Sequence, residues 1–257
     1  VGIDIDSAKV KALQNGACPI FEPGLPEVLE RNLKAGRLRF TTDYAEGVPQ
    51  SEFIFICVDT PSSASGEADM RQVRSAATML GEHIRDGAIV VNKSTMPIGS
   101  GDLVSSLIAE HAASDVSFHV VSNPEFLREG AAIRDVFSPD RIVLGTDNVE
   151  AANRVKELYK ALNAPVVVTD RRTAEMIKYA SNSFLATKIS FINEMAQICE
   201  RVGADVTVVA EGMGHDGRIG PMFLQAGVGY GGGGFSKEGK KMAALADEDD
   251  CPPQVLP

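Results

Sequence analysis

The sequence has no tryptophan, and aromatic residues make up only 6% of its 257 positions. Its four cysteines, Cys18, Cys57, Cys199 and Cys251, lie far apart and form no Cys-x-x-Cys pair. That spacing excludes a disulfide-framed secreted domain and a cysteine-ligated zinc site. His83, His111, His119 and His215 show no metal-ligand spacing either and read as surface or structural residues. No apolar run approaches the ~18 residues of a transmembrane helix. Basic residues are in deficit, 25 against 35 acidic ones, for a net charge of −10. Nucleic-acid or anionic-membrane binding needs a basic face, so neither is expected. A chain that is 44% hydrophobic and 23% charged is globular, and its unpaired cysteines fit a reduced, cytoplasmic setting.

The chain opens on Val1-Gly-Ile-Asp-Ile-Asp6, an apolar run closing in Asp. It ends on Cys251-Pro-Pro-Gln-Val-Leu-Pro257, where another apolar segment begins. The opening reads as the end of a strand already under way, so the sequence is expected to be a piece of a longer protein. Short β-branched runs cover 53–58, 88–91, 118–121, 142–144 and 166–168. Runs apolar on successive residues fit strands buried on both faces of a parallel sheet. Helical patterns lie between them, at 7–14 with Ser7 as N-cap, 27–33, 69–84 and 101–113. This alternation predicts βαβ units with right-handed crossovers. After Asp170 the pattern changes to a long helix over 173–202, free of Gly and Pro, and a second over 206–212. A boundary is therefore expected near 170, with an α/β domain over 1–170 and a helical one over 171–257.

Several segments carry chemistry. Asp4 stands where a dinucleotide-binding unit places the carboxylate that accepts the ribose hydroxyls, and Lys9 is near the same place. Strand-end Asp is also ordinary turn and capping chemistry. Thr60 follows the 53–58 strand, and Ser94 and Thr95 follow the 88–91 strand, at the carboxyl ends where α/β sheets hold ligands. Ser122-Asn-Pro-Glu-Phe-Leu-Arg-Glu129 places two carboxylates beside an Arg. Lys178 and Asn182, four apart, share one helix face, which could equally be a solvated one. The run Gly227-Val-Gly-Tyr-Gly-Gly-Gly-Gly-Phe-Ser-Lys-Glu238 can bring backbone N–H groups close to a ligand or serve as a linker.

In order along the chain, Val1-Gly-Ile-Asp-Ile-Asp6, Pro19-Ile-Phe-Glu-Pro-Gly-Leu25, Lys93-Ser-Thr-Met-Pro-Ile-Gly99, Asn123-Pro-Glu-Phe-Leu-Arg-Glu129, the stretch from Ala174 to Asn182 and that from Gly227 to Glu238 resemble the UDP-glucose 6-dehydrogenase family, which includes the GDP-mannose and UDP-N-acetylmannosamine dehydrogenases. The resemblance implies a Rossmann-like, doubly wound parallel sheet, truncated at its N-terminus, followed by an α-helical central domain. It implies oxidation of the C6 alcohol of a nucleotide sugar to a carboxylate with two NAD molecules, through an aldehyde and a cysteine thioester. Asp4, Lys9, Thr60, Thr95, Glu129 and Lys237 would border NAD. Thr95 and Glu129 would also hold the catalytic water, and Lys178 and Asn182 would stabilise charge on the reacting oxygen. Glu125, Phe126, Leu127, Arg128, Lys178, Asn182, Phe223, Leu224, Gly227 and Gly231 would line the sugar nucleotide. The family's dimer-forming helix and C-terminal nucleotide-binding domain would lie beyond Pro257, so a homodimer is implied for the full-length protein.

The sequence departs from the family at one decisive place. Gly234 stands where the nucleophilic cysteine belongs, Ser236 replaces a Pro, and Glu238 replaces the Asp beside the thiol. Glycine has no side chain, so no thioester can form there. Asp59 adds a carboxylate where the family carries Gly. The implied activity is UDP-glucose oxidation impaired at its second step, with a non-catalytic nucleotide-sugar and NAD-binding protein as the alternative.

Overall fold

The computed structural model describes residues 1–61 and 68–231. It divides into two compact units, Val1–Thr60 with Met70–Glu175, and Pro61–Asp69 with Met176–Pro257.

The first unit is α/β. β1 (Gly2–Ile3) pairs in parallel with β2 (Phe40–Thr41). The close fit explains the glycine: a Cβ on Gly2 would stand 2.6 Å from the Phe40 ring. A five-stranded sheet runs in the order β3 (Phe53–Ile56), β4 (Ala88–Asn92), β5 (Phe118–Ser122), β6 (Ile142–Gly145) and β7 (Val166–Thr169). Around the strands lie α1 (Ser7–Gln14), α2 (Leu25–Lys34), α3 (Tyr44–Gly47), α4 (Arg71–His83), α5 (Ser100–His111), α6 (Ala132–Phe137) and α7 (Val149–Tyr159). Ala88 and Val90 face a core built with Val73, Leu80, Val104 and Ile108 of α4 and α5. Ile89 and Val91 face the opposite core with Ala151 and Val155 of α7. Helices therefore cover both faces, which is why β4 is apolar at successive positions rather than alternate ones.

Three expectations are corrected. β3, β4 and β5 are parallel, but β6 meets β5 antiparallel at Ser122 and Gly145, so β6 and β7 run against the first three strands. The connecting α6 has six residues, about 9 Å. It stays with the 123–131 loop between the carboxyl end of β5 and the start of β6, so the chain enters β6 from that end and runs back antiparallel. Burial on both faces holds for β4 and β6 but not for the edge strands. Phe55 of β3 is partly exposed, and Val167 and Val168 of β7 are 44% and 50% exposed. Asp6, not Ser7, caps α1: its carboxylate accepts from the N–H groups of Ala8 and Lys9, and Ser7 begins the helix. The short β2, α3 and α6, and the longer α7, were not legible as separate elements.

α8 spans Arg171–Val202, 32 residues without Gly or Pro, and is about 48 Å long. Its start is fixed by Asp170, whose carboxylate accepts from the N–H and hydroxyl of Thr173. The division between the two units falls within it, after Glu175. In the second unit α8 is followed by α9 (Val206–Gly214), capped by Asp205. Among the described residues no helix is long and apolar enough to cross a membrane.

Candidate active site

The first unit gathers polar side chains at the carboxyl ends of β1, β3, β4 and β5. Asp4 follows β1 and accepts from the Asp6 N–H at 3.0 Å and the Lys9 ammonium at 2.5 Å. Partial burial pushes the Asp4 carboxyl up, but the Lys9 charge and the Asp6 N–H outweigh it and leave it below the usual carboxylate value. An ionised carboxylate at a strand end accepts hydrogen bonds from a vicinal diol, so Asp4 and Lys9 fit an adenosine ribose.

Thr60 is buried, and its hydroxyl donates to the Thr95 carbonyl at 2.7 Å. Ser94 donates to the Val58 carbonyl at 2.6 Å. These bonds tie the segments that follow β3 and β4 together at the carboxyl ends of the two strands. The Thr95 hydroxyl lies 3.4 Å from Glu125 Oε1. Glu129, expected with Thr95 to hold a catalytic water, is exposed. Asp59 is exposed beside these turns.

Residues 123–131 form an irregular loop between β5 and α6. Asn123, 1% exposed, anchors its start: the backbone N–H donates to the Asn92 carbonyl and Nδ2 to the Val143 carbonyl. The Tyr159 hydroxyl donates to Asn123 Oδ1 at 2.5 Å, with Lys93 Nζ 3.4 Å from the same oxygen. Burial pushes the Tyr159 phenol up to about 12, so it remains a donor at neutral pH. Within the loop, Glu125 Oε2 accepts from the Leu127 N–H. The Phe126 ring packs under the Arg141 guanidinium, 3.6 Å from its centroid. Arg128 is committed to Asp135 through two guanidinium bonds and its own N–H, so its charge is neutralised at the loop's rear.

Glu175 opens α8 and was singled out by no sequence signal. It is 7% exposed and accepts from the Gly99 N–H at 2.6 Å, the Gly101 N–H at 2.9 Å and the Ser122 hydroxyl at 2.9 Å. Burial pushes its carboxyl up, and those three donors offset this only in part, leaving it above the usual carboxylate value. The carboxylate thus fills the anion position at the N-terminus of α5. Glu175→Ala is expected to lower stability by about 2–4 kcal/mol, because it strands buried donors. Thermal unfolding of the two proteins measures this.

In the second unit Lys178 and Asn182 lie one turn apart on α8. Lys178 is only 4% exposed, so the solvated-face alternative is ruled out for it. Phe223 adopts φ 64°, a left-handed conformation outside glycine, and Leu224 beside it is 3% exposed. The Gly227 N–H donates to Asn193 Oδ1 at 2.8 Å. Gly231 is the last residue described before the C-terminal part of the Gly-rich run. Gly234, Lys237 and Glu238 lie outside the described residues. What sequence reasoning missed, Glu175, Tyr159 and Arg141, supports other residues rather than carrying reactive groups, and motif reading registers no such support.

Residues 1–163 match the sequence model described as the UDP-glucose/GDP-mannose dehydrogenase family, NAD binding domain, and residues 172–257 match the same family's central domain. The chain is 52% identical over 244 residues to UDP-glucose 6-dehydrogenase YwqF of Bacillus subtilis, covering 95% of this chain and 56% of that protein. It is 48% identical to UDP-glucose 6-dehydrogenase of Rhizobium meliloti, covering 100% of this chain and 60% of that one. A UDP-glucose dehydrogenase structure from Pyrobaculum islandicum superposes with a TM-score of 0.92 at 43% identity, covering 97% of this chain and 58% of the other. A ternary complex of GDP-mannose dehydrogenase from Pseudomonas aeruginosa does so with a TM-score of 0.80 at 33% identity, covering 97% and 59%. The chain thus spans a little over half the length of these relatives. Its NAD cofactor follows from the family of its first 163 residues and fits the acceptor at Asp4. With both matches in chain order and Asp4, Thr60 and Thr95 standing at strand ends, the chain belongs to the UDP-glucose/GDP-mannose dehydrogenase family.

Proposed function

We propose that the protein containing this chain binds UDP-glucose and NAD and oxidises the sugar's C6 alcohol, with the step from aldehyde to carboxylate crippled by Gly234. Residues 1–170 would form the NAD-binding domain and 171–257 the central one. The observation that carries the reading is Lys178, a cation 4% exposed on the helix that opens the family's central domain. A cation kept from water stabilises an oxygen that is losing its proton far more than a solvated one would.

NAD, when bound, accepts a hydride from C6. The chain's own residues hold the rest. Asp4 accepts the ribose hydroxyls. Thr60 and Thr95 shape the cofactor turn. The 125–129 loop lines the sugar nucleotide. Lys178 and Asn182 donate to the C6 oxygen as its proton leaves. Oxidation of the aldehyde in this family goes through a thiol adduct, then a thioester that water hydrolyses with Glu129 as base. At position 234 there is no sulfur to form it. Phe223, Leu224, Gly227 and Gly231 would hold the sugar nucleotide. A homodimer is the proposed assembly of the full-length protein.

The test is calorimetry and NADH stoichiometry on the full-length protein. UDP-glucose is expected to bind, and NADH is expected to form but to stay well short of two per sugar. Absence of UDP-glucose binding, or rapid formation of two NADH per sugar, overturns the proposal. The same Gly234 favours a second reading, a non-catalytic nucleotide-sugar and NAD-binding protein, which binding with no NADH at all would establish.

A further inference from the structure

The segment Pro19-Ile-Phe-Glu-Pro-Gly-Leu25 has no part in the chemistry above, yet it carries a buried carboxylate. Glu22 is 8% exposed, although Phe21 beside it is 94% exposed. Its Oε2 accepts from the Gly130 N–H at 3.0 Å and its Oε1 from the Ala132 N–H at 2.6 Å, more than a hundred residues along the chain. Those two N–H groups stand where the 123–131 loop turns into α6. Ala131, the residue at the cap position of α6, has no side chain able to accept them. Glu22 supplies from a distant segment the cap that the local sequence omits.

The segment that carries it is stiff. Pro19, Pro23 and Pro26 restrict its backbone, and the Leu25 N–H closes a turn on the Glu22 carbonyl at 3.0 Å. Gly24, at φ 83°, lies against α6: a Cβ there would stand 3.7 Å from Ile133. The loop is thus pinned at its start by Asn123 and at its end by Glu22, with the Glu125, Arg128 and Glu129 side chains between the two pins.

We infer that Glu22 is a positioning residue: it fixes the end of the 123–131 loop and so sets the affinity for the nucleotide sugar without touching it. This rests on the proposed function, in which that loop lines the sugar nucleotide. Glu22→Gln keeps the shape but turns one acceptor into a donor facing an N–H group. Glu22→Asp keeps the charge but is one methylene short of holding both.

The experiment uses the full-length protein and titrates UDP-glucose and NAD separately by calorimetry. It also follows hydrogen exchange at the Gly130 and Ala132 amides. UDP-glucose affinity is expected to fall about tenfold in Glu22→Gln, the worth of one charge-assisted hydrogen bond, with a smaller loss in Glu22→Asp. NAD affinity should fall clearly less than UDP-glucose affinity, because Asp4 and Thr60 are held by bonds outside the loop and only Glu129 of the residues proposed to border NAD lies within it, and exchange at the two amides should quicken. A general loss of folding would weaken both ligands alike. Equal losses for both ligands, or unchanged UDP-glucose affinity in both variants, overturn the inference. If the unsubstituted protein binds no UDP-glucose, the functional reading fails instead, and the amide exchange still reports whether Glu22 holds the loop.

Discussion

Gly234→Cys in the full-length protein is expected to raise the yield from well below two NADH per UDP-glucose to two, and to speed the second oxidation on the order of 10³-fold or more. The first hydride leaves an aldehyde. Taking a second hydride from that carbon requires a tetrahedral adduct that carries a hydrogen and a nucleophile's atom. A thiolate attacks the carbonyl and gives a thiohemiacetal. Loss of hydride gives a thioester and a second NADH. Water then cleaves the C–S bond, releasing carboxylate and thiol. Glycine removes the sulfur and leaves only the aldehyde hydrate as hydride donor, untethered to the protein. Full NADH stoichiometry and glucuronate product, followed by absorbance and chromatography, are the readouts. If Gly234→Cys leaves the second step as slow as before, the glycine is not the defect, and Ser236 or Glu238, which also depart from the family, become the next positions to restore.

Lys178→Met, made in the protein that already carries Gly234→Cys, is expected to lower kcat by about 10²–10³, the loss of roughly 3–4 kcal/mol of charge stabilisation, while KM for UDP-glucose changes only a fewfold. The split follows from when the charge exists. The C6 hydroxyl of bound substrate is neutral, and its oxygen becomes negative only as its proton leaves; departure of the hydride then turns it into a neutral carbonyl oxygen. A cation only 4% exposed is therefore worth more in the transition state than in the ground state. Methionine fills a similar volume without the charge. Unfolding midpoints measured alongside separate a loss of chemistry from a loss of fold. An equal rise in KM with kcat unchanged would place Lys178 in uniform binding instead of catalysis.

Most of the sheet was legible from the sequence. Runs such as Ala88-Ile-Val-Val91, apolar at every position, can be satisfied only by helices on both faces, and α4, α5 and α7 provide them. The long α8 was legible from 32 residues without Gly or Pro. The reversal at β6 was not, because the nineteen residues between β5 and β6 are long enough for either direction, and the six-residue α6 has too weak a pattern to show which is taken. Asp4, Thr60 and Thr95 were readable as strand-end candidates because ligand crevices form there, a positional rule. Lys178 was readable as a residue but not as a buried one, since a lone Lys on a helix carries no sign of its depth. Glu22 and Glu175 were invisible as supports, because a carboxylate bound to distant backbone N–H groups leaves no local pattern.

Phe223 sets a limit on how this protein could be stabilised. An L-residue at φ 64° costs roughly 1 kcal/mol that glycine would not, so selection for stability alone would replace the ring. A redesign that scored only backbone comfort would gain that energy at position 223 and remove an aromatic surface from the stretch that leads into the Gly-rich run. If Phe223 holds the sugar nucleotide as proposed, thermostability and ligand contact pull in opposite directions on one residue, and an engineered variant should keep Phe223 and seek its gains elsewhere.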